Sequence, residues 1–130
     1  MKKKTNRIVR TRNNKTWTES MFFSAIRSAL RMKFRYWKPM TEALKKASRP
    51  SQNKKRPALK TEYQCAMCLK WFDRKSVEVN HIVPCGSLSK YEDIVPFVKR
   101  LTEENIDLYN VLCKPCHKKE TKKQRDGKNI

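Results

Sequence analysis

The sequence predicts a small α+β fold: a compact module stapled by a four-cysteine zinc site, carried behind a basic helical N-terminal extension. Three observations predict it. Two Cys-x2-Cys pairs, Cys65/Cys68 and Cys113/Cys116, bracket 44 residues. Apolar side chains recur at helical intervals over residues 22–37, then alternate with polar ones from Val77 to Asn80. Charge is unevenly divided. Residues 1–60 carry 19 Lys+Arg against two acids, Glu19 and Glu42, a net of +17; residues 61–130 carry 13 against 10, a net of +3. The chain therefore reads as a basic arm, helix and linker over 1–60 and a metal-stapled module over 61–130.

Within the arm, residues 1–15 lack apolar periodicity, a composition that predicts disorder in the free chain. Thr16 and Glu19 have capping-box spacing. Phe22, Phe23, Ile26, Ala29, Leu30, Phe34 and Trp37 then form a stripe that predicts a helix over about 17–37, stopped near Pro39. Such a stripe seeks burial, on the module or on a second copy, in preference to stacking on bases, which needs exposed rings. Arg27, Arg31, Lys33 and Arg35 occupy much of the remaining helix surface, where they suit contacts to phosphates. A short helix is expected over 41–47. Residues 48–60, with Pro50, Pro57 and a cationic cluster, read as a flexible tether.

In the module, Val77 and Val79 alternate with Glu78 and Asn80, a strand ending near His81. Ser89 and Glu92 have capping-box spacing ahead of a helix over about 90–101, within which Pro96 is out of place. A second strand is expected over Leu108–Leu112, and a last helix from the second cysteine pair to about Arg125. Cys85, the fifth cysteine, reads as a packed thiol.

The net charge of the whole chain is +20, from 32 Lys+Arg and 12 Asp+Glu. So large an excess points to a polyanion, and nucleic acid is the commonest. At 130 residues and 38% hydrophobic, the chain supports only a small core, of the kind a metal often reinforces. The basic start has no apolar run behind it, and nothing approaches the ~20 apolar residues of a membrane span. The expectation is a cytoplasmic, reducing location without membrane contact, where cysteines bind metal rather than form disulfides.

Four thiolates make a closed tetrahedral zinc site. His117, next to Cys116 on the predicted helix, leaves the axis about 100° away from it and is surplus to that zinc. A Cys3His site using His117 in place of Cys116 and a merely solvated histidine are the alternatives. The haem-attachment pattern C-x-x-C-H is also matched, but it leaves Cys65 and Cys68 idle and lacks an export signal. His81 follows the first strand and is preceded by an oxygen donor, Asn80. A neutral imidazole can take a proton from water, while a metal held by the other histidine and an oxygen ligand stabilises charge on a phosphate. Lys114, Lys118, Lys119 and Lys122 lie on or near the last helix and suit phosphate contacts, which position DNA without reading its sequence.

Together, Cys65-Ala66-Met67-Cys68, the stretch VNHIVPCGSL at 79–88 and VLCKPCHKKET at 111–121 resemble an HNH endonuclease of the zinc-knuckle type common in tailed bacteriophages. The resemblance covers about residues 62–123. It implies a ββα-metal module, with the cysteines on a structural Zn2+ and a separate catalytic Mg2+ or Mn2+. By position, His81 matches the general base, His117 the metal-binding C-terminal histidine, and Asn80 the first metal-ligand position, where the family more often has Asp, His or Glu. The family's middle asparagine falls at Leu108; Asn105, Asp107 and Asn110 are the neighbouring alternatives. The implied activity is metal-dependent hydrolysis of DNA phosphodiesters, leaving 5′-phosphate and 3′-hydroxyl ends. Implied settings are the cytoplasm of a phage host, with assistance to the large terminase in DNA packaging, and a homodimer if both strands are cut together. The rival reading is a zinc-stapled nucleic-acid-binding protein without catalysis.

Overall fold

The structure, a computed structural model, describes residues 8–127. Its elements run β1 (Arg10–Arg12), β2 (Trp17–Thr18), α1 (Glu19–Lys33), α2 (Lys38–Lys46), β3 (Ser48–Pro50), β4 (Thr61–Gln64), β5 (Trp71–Phe72), β6 (Val77–His81), α3 (Ile94–Leu101), β7 (Tyr109–Cys113) and α4 (Lys114–Gly127). Among the described residues this is a small α+β chain of four helices and three small sheets: β1-β2, β3-β4-β5 and β6-β7. No described helix is long and apolar enough to cross a membrane. Packing groups the chain into two compact units. One combines the described residues up to Arg35 with Cys85–Leu101; the other combines Tyr36–Pro84 with the residues from Thr102 on. The change in composition at residue 60 is thus not where packing divides the chain.

The first unit is built around an arginine. β1 and β2 pair antiparallel, Arg10 opposite Thr18 and Arg12 opposite Trp17. The turn between them puts Asn13, Asn14 and Lys15 at φ of 52°, 54° and 63°, a left-handed region that asparagine tolerates better than most residues. Disorder was the expectation for 1–15; residues 8–15 instead include a strand and turn, and residues 1–7 lie outside the described part. Arg12 explains the order. Its Nε and Nη2 donate to the Glu19 carboxylate at 2.6 and 3.3 Å, and its Nη1 donates to Tyr91 Oη at 2.8 Å. The guanidinium lies 4.5 Å from the centre of the Phe22 ring and 5.2 Å from that of Tyr91, a planar cation on aromatic faces.

Glu19 therefore serves Arg12 and Thr11 rather than a capping box with Thr16. The cap of α1 is Thr18, whose Oγ1 accepts the Met21 amide at 3.1 Å. Of the stripe, Phe23 is buried, Phe22, Ile26, Leu30, Phe34 and Trp37 are half-buried, and Ala29 is exposed. Phe23 joins Cys85, Leu88, Phe97 and Leu101 in a core flanked by Phe22, Ile26, Leu30, Phe34 and Ile94. Cys85 is a packed thiol there, its pKa pushed up by burial against the opposing pull of Arg31, Arg27 and Arg100. Ahead of α3, the Ser89 amide and hydroxyl both donate to the Asp93 carboxylate at 3.0 and 3.2 Å, so the partner of Ser89 is Asp93 and not Glu92, and no capping box forms. Pro96 falls in the first turn of α3, where no helical N–H is needed.

The predicted helix over 17–37 is two helices. α1 ends at Lys33, and Trp37 becomes the N-cap of α2, with Pro39 in its first turn, the position that suits a missing N–H. Residues 48–60 are not a free tether: β3 pairs β4, Pro50 lies on an edge strand, and the Ser51 amide donates to Lys60 O at 3.0 Å. Arg49 fastens this hairpin. Its Nε meets the Glu62 carboxylate at 2.7 Å, and its guanidinium stacks 3.7 Å from the Trp71 ring centre. Glu62 is only 6% exposed and also accepts the Gln52 amide at 3.2 Å, so this buried carboxylate is paired.

Phe97 is 0% exposed. Phe97→Ala is expected to cost about 3–5 kcal/mol, read as a lower urea midpoint with an unchanged slope.

Candidate functional site

The second unit hangs on a two-stranded ladder. β6 and β7 pair antiparallel from Val77 opposite Cys113 to His81 opposite Tyr109. β7 delivers Cys113 at its last residue, and α4 begins at once, placing Cys116 in its first turn beside Pro115. The first cysteine pair is tied to the same strand: the Ala66 amide donates to Val111 O at 2.8 Å, and the Cys65 amide to Lys70 O at 2.9 Å. The knuckle turns back through Leu69 at φ 63°, its amide donating to Cys65 O at 2.9 Å. A non-glycine residue rarely takes that conformation.

These constraints bring the ligand atoms of Cys65, Cys68, Cys113 and Cys116 within 4.8 Å of one another. Four sulfurs at ~2.3 Å from a tetrahedral zinc are about 3.8 Å apart. Cys68 and Cys113 Sγ are separated by 3.9 Å. The residues fit a structural zinc ion. The acidity of the thiols supports this. Burial raises the Cys65 pKa, but the amides of Cys113, Cys68 and Met67 outweigh it and bring the thiol to about 6. Cys116 is pushed up to about 12, first by its hydrogen bond to Cys113 and then by burial and Cys65. Crowded thiols cannot all ionise unaided; a divalent cation lets them.

Around the corner of α4, His117 meets a residue that motif reading passes over. Its Nδ1 hydrogen-bonds the Glu78 carboxylate. The signal was present in the strand: Glu78 and Asn80 are two apart and share a face. Asn80 is buried, and its Nδ2 donates to Asn110 Oδ1 at 3.1 Å across the ladder. Of the other neighbouring candidates, Asn105 caps the turn Ile106–Leu108, its side chain accepting the Asp107 amide at 3.0 Å. That turn offers Leu108 O to the Ile82 amide at 3.0 Å, fixing the chain just beyond His81. Asp107 instead reaches Lys46 at 3.5 Å on the surface.

His81 is half-buried on the strand face opposite Glu78 and Asn80. Its ring meets the Tyr109 ring edge-on at 5.0 Å, and its Nε2 is shielded from solvent. Tyr109 is in turn fixed by its hydroxyl on Glu103 O at 2.7 Å, a carbonyl that also accepts Trp37 Nε1 at 3.1 Å.

A groove of about 480 Å³ opens beside the Glu78–His117 pair, lined further by Lys114, Lys118, Thr121, Lys122 and Arg125. Three of the four lysines expected to meet phosphates therefore share one wall with His117. Lys119 does not line the groove. Arg27, Arg31, Lys33 and Arg35 are exposed and lie in the first unit. The structure thus brings together the four cysteines, and separately His117 with three lysines. No family model, curated protein or solved structure matches the chain.

The zinc fit has a direct test. Cys113→Ser is expected to lower bound zinc from one equivalent to near none, measured by metal analysis after gel filtration. Because β7 ends at this residue and α4 begins directly after it, loss of the far-ultraviolet helix signal on chelation is expected in the wild type too.

Proposed function

We propose that residues 62–123 act as an HNH-type, metal-dependent endonuclease that hydrolyses DNA phosphodiester bonds. The observation that carries the reading is the Glu78–His117 pair at the head of a cation-lined groove, one strand residue away from Asn80-His81. A carboxylate on Nδ1 fixes the tautomer of the imidazole and leaves Nε2 as a ligand atom. The Asn80 amide, with its Nδ2 on Asn110, presents Oδ1. Two such donors, with water in the remaining positions, suit a hard divalent ion. Mg2+ or Mn2+ held there supplies neutralisation of charge on the scissile phosphate and the departing oxygen.

His81 is the general base. Its imidazole takes the proton of the attacking water, and the edge-on Tyr109 ring packs against it. Consecutive strand residues point to opposite faces, so His81 and Asn80 flank the strand end from two sides. In an in-line displacement the water oxygen bonds to phosphorus on the side opposite the departing oxygen, whose bond breaks, so the base and the metal act on different sides of the phosphate. Lys114, Lys118 and Lys122 hold the substrate backbone, and the rest of the +20 charge adds affinity independent of sequence. A second reading, a zinc-stapled nucleic-acid-binding protein without catalysis, is favoured by one observation: Asn80 is a neutral donor where a charged ligand binds metal more strongly.

Cleavage of supercoiled plasmid decides between them. Wild type is expected to nick or linearise it with Mg2+ or Mn2+ and not without. His81→Ala, still zinc-loaded, is expected to lose about 10²–10⁴-fold in rate, and Glu78→Gln about 10–100-fold through looser placement of His117. Equal rates for wild type and His81→Ala remove His81 from the base role. Tight binding with no cutting under either metal establishes the binding protein instead.

A further inference from the structure

We infer that one face of α4 is a directional track for a single nucleic-acid strand, beginning one turn before His117 and extending two turns beyond it. The groove is lined by Lys114, Lys118, Lys122 and Arg125. At about 100° per residue these four fall within an arc of ~80°, while Lys119 and Lys123 point about 100° and 140° away from its centre. The charge is therefore sorted by face, although the helix is rich in lysine all round. From Lys114 to Arg125 the axis rises about 16 Å, which spans about two to three phosphates followed along one strand, whose phosphates lie further apart than the ~3.4 Å rise along the duplex axis. His117 divides this length unevenly. About one phosphate fits on the Lys114 side and about two fit towards Arg125. Glu78 is the only acid in the lining, and its carboxylate is engaged by His117, so phosphates along the rest of the wall meet cations and the Thr121 hydroxyl.

The track rests on the nuclease reading only for the place of the scissile phosphate, opposite His117. Two readouts keep the two claims apart. The first is binding of a fluorescent 20-bp duplex by the full-length, zinc-loaded chain, in a His81→Ala background without Mg2+ or Mn2+, as salt rises from 50 to 200 mM. Lys118→Ala/Lys122→Ala is expected to flatten the slope of log affinity against log salt by about 1.8, since each duplex phosphate contact contributes about 0.9. Lys119→Ala/Lys123→Ala removes the same charge from the same helix and is expected to change the slope by less than half as much; alanine preserves the helix in both. Equal slopes for the two pairs overturn the track and leave a general charge effect. The second readout is the map of cut positions by the wild type on end-labelled 20-mers. Cuts are expected within about one linkage of one end and to be excluded from about two linkages at the other; equal exclusion at both ends also overturns the track. If the wild type cuts nothing, the nuclease reading falls while the salt slopes still decide the track.

Discussion

The four-cysteine cluster is the constraint on which the second unit depends. It joins two chain segments 44 residues apart, and each cysteine pair is held by β7. Cys113 ends that strand, and Ala66 beside Cys65 bonds to Val111 within it. A unit of this size buries few large side chains; Leu112, Cys65 and Cys113, flanked by Phe72 and Cys116, make up its cluster at the cysteines. A metal held by the four thiols would substitute for apolar area that so short a segment cannot bury. The same cluster sets the angle at which α4 leaves β7, and that angle decides what His117 faces.

From this follows a division of labour at the second cysteine pair. Cys116 and His117 are adjacent, yet one turns to the sulfur cluster and the other to Glu78. The helix provides the turn between them, and the antiparallel register provides the partner. β6 must pair with β7 through Val77 opposite Cys113 for Glu78 to stand beside α4. A one-residue slip would exchange the faces of the strand and bring Val79 or Val77 to His117 in place of the carboxylate. Zinc, register and histidine are thus links of one chain of cause.

The four-cysteine cluster was legible in the sequence because two Cys-x2-Cys pairs are the spacing of a tetrahedral metal site. The strands at 77–81 and 109–113 and the packing of the inner face of the stripe at 22–34 were legible through periodicity. What was not legible depended on distant partners. Nothing local says that Arg12 will order its neighbourhood, because its partners include Tyr91, 79 residues away. Nor does the composition of 48–60 reveal a hairpin, since β3 is held by Glu62 and Trp71 beyond the loop. Pro39 signalled a stop but equally allows a new start, and the structure takes the second option. Glu78 was within reach, as the residue two before Asn80 on one face of the strand, but a motif centred on Asn80-His81 draws attention away from it.

Charge shows the same difference between composition and placement. The second unit draws on a chain segment that is nearly balanced from residue 61 onward, at +3, yet its groove carries four cations and a single acid that is already engaged. The wall becomes strongly cationic because four of the six Lys and Arg of α4 fall on one side of the helix and its acids elsewhere. Long-range attraction of any polyanion depends on the total charge and is screened beyond about a Debye length. Contacts at close range depend instead on which face the charges occupy. The charge of the basic arm and the ordered cations of the α4 face are therefore different physical features, and only the second lies beside His117.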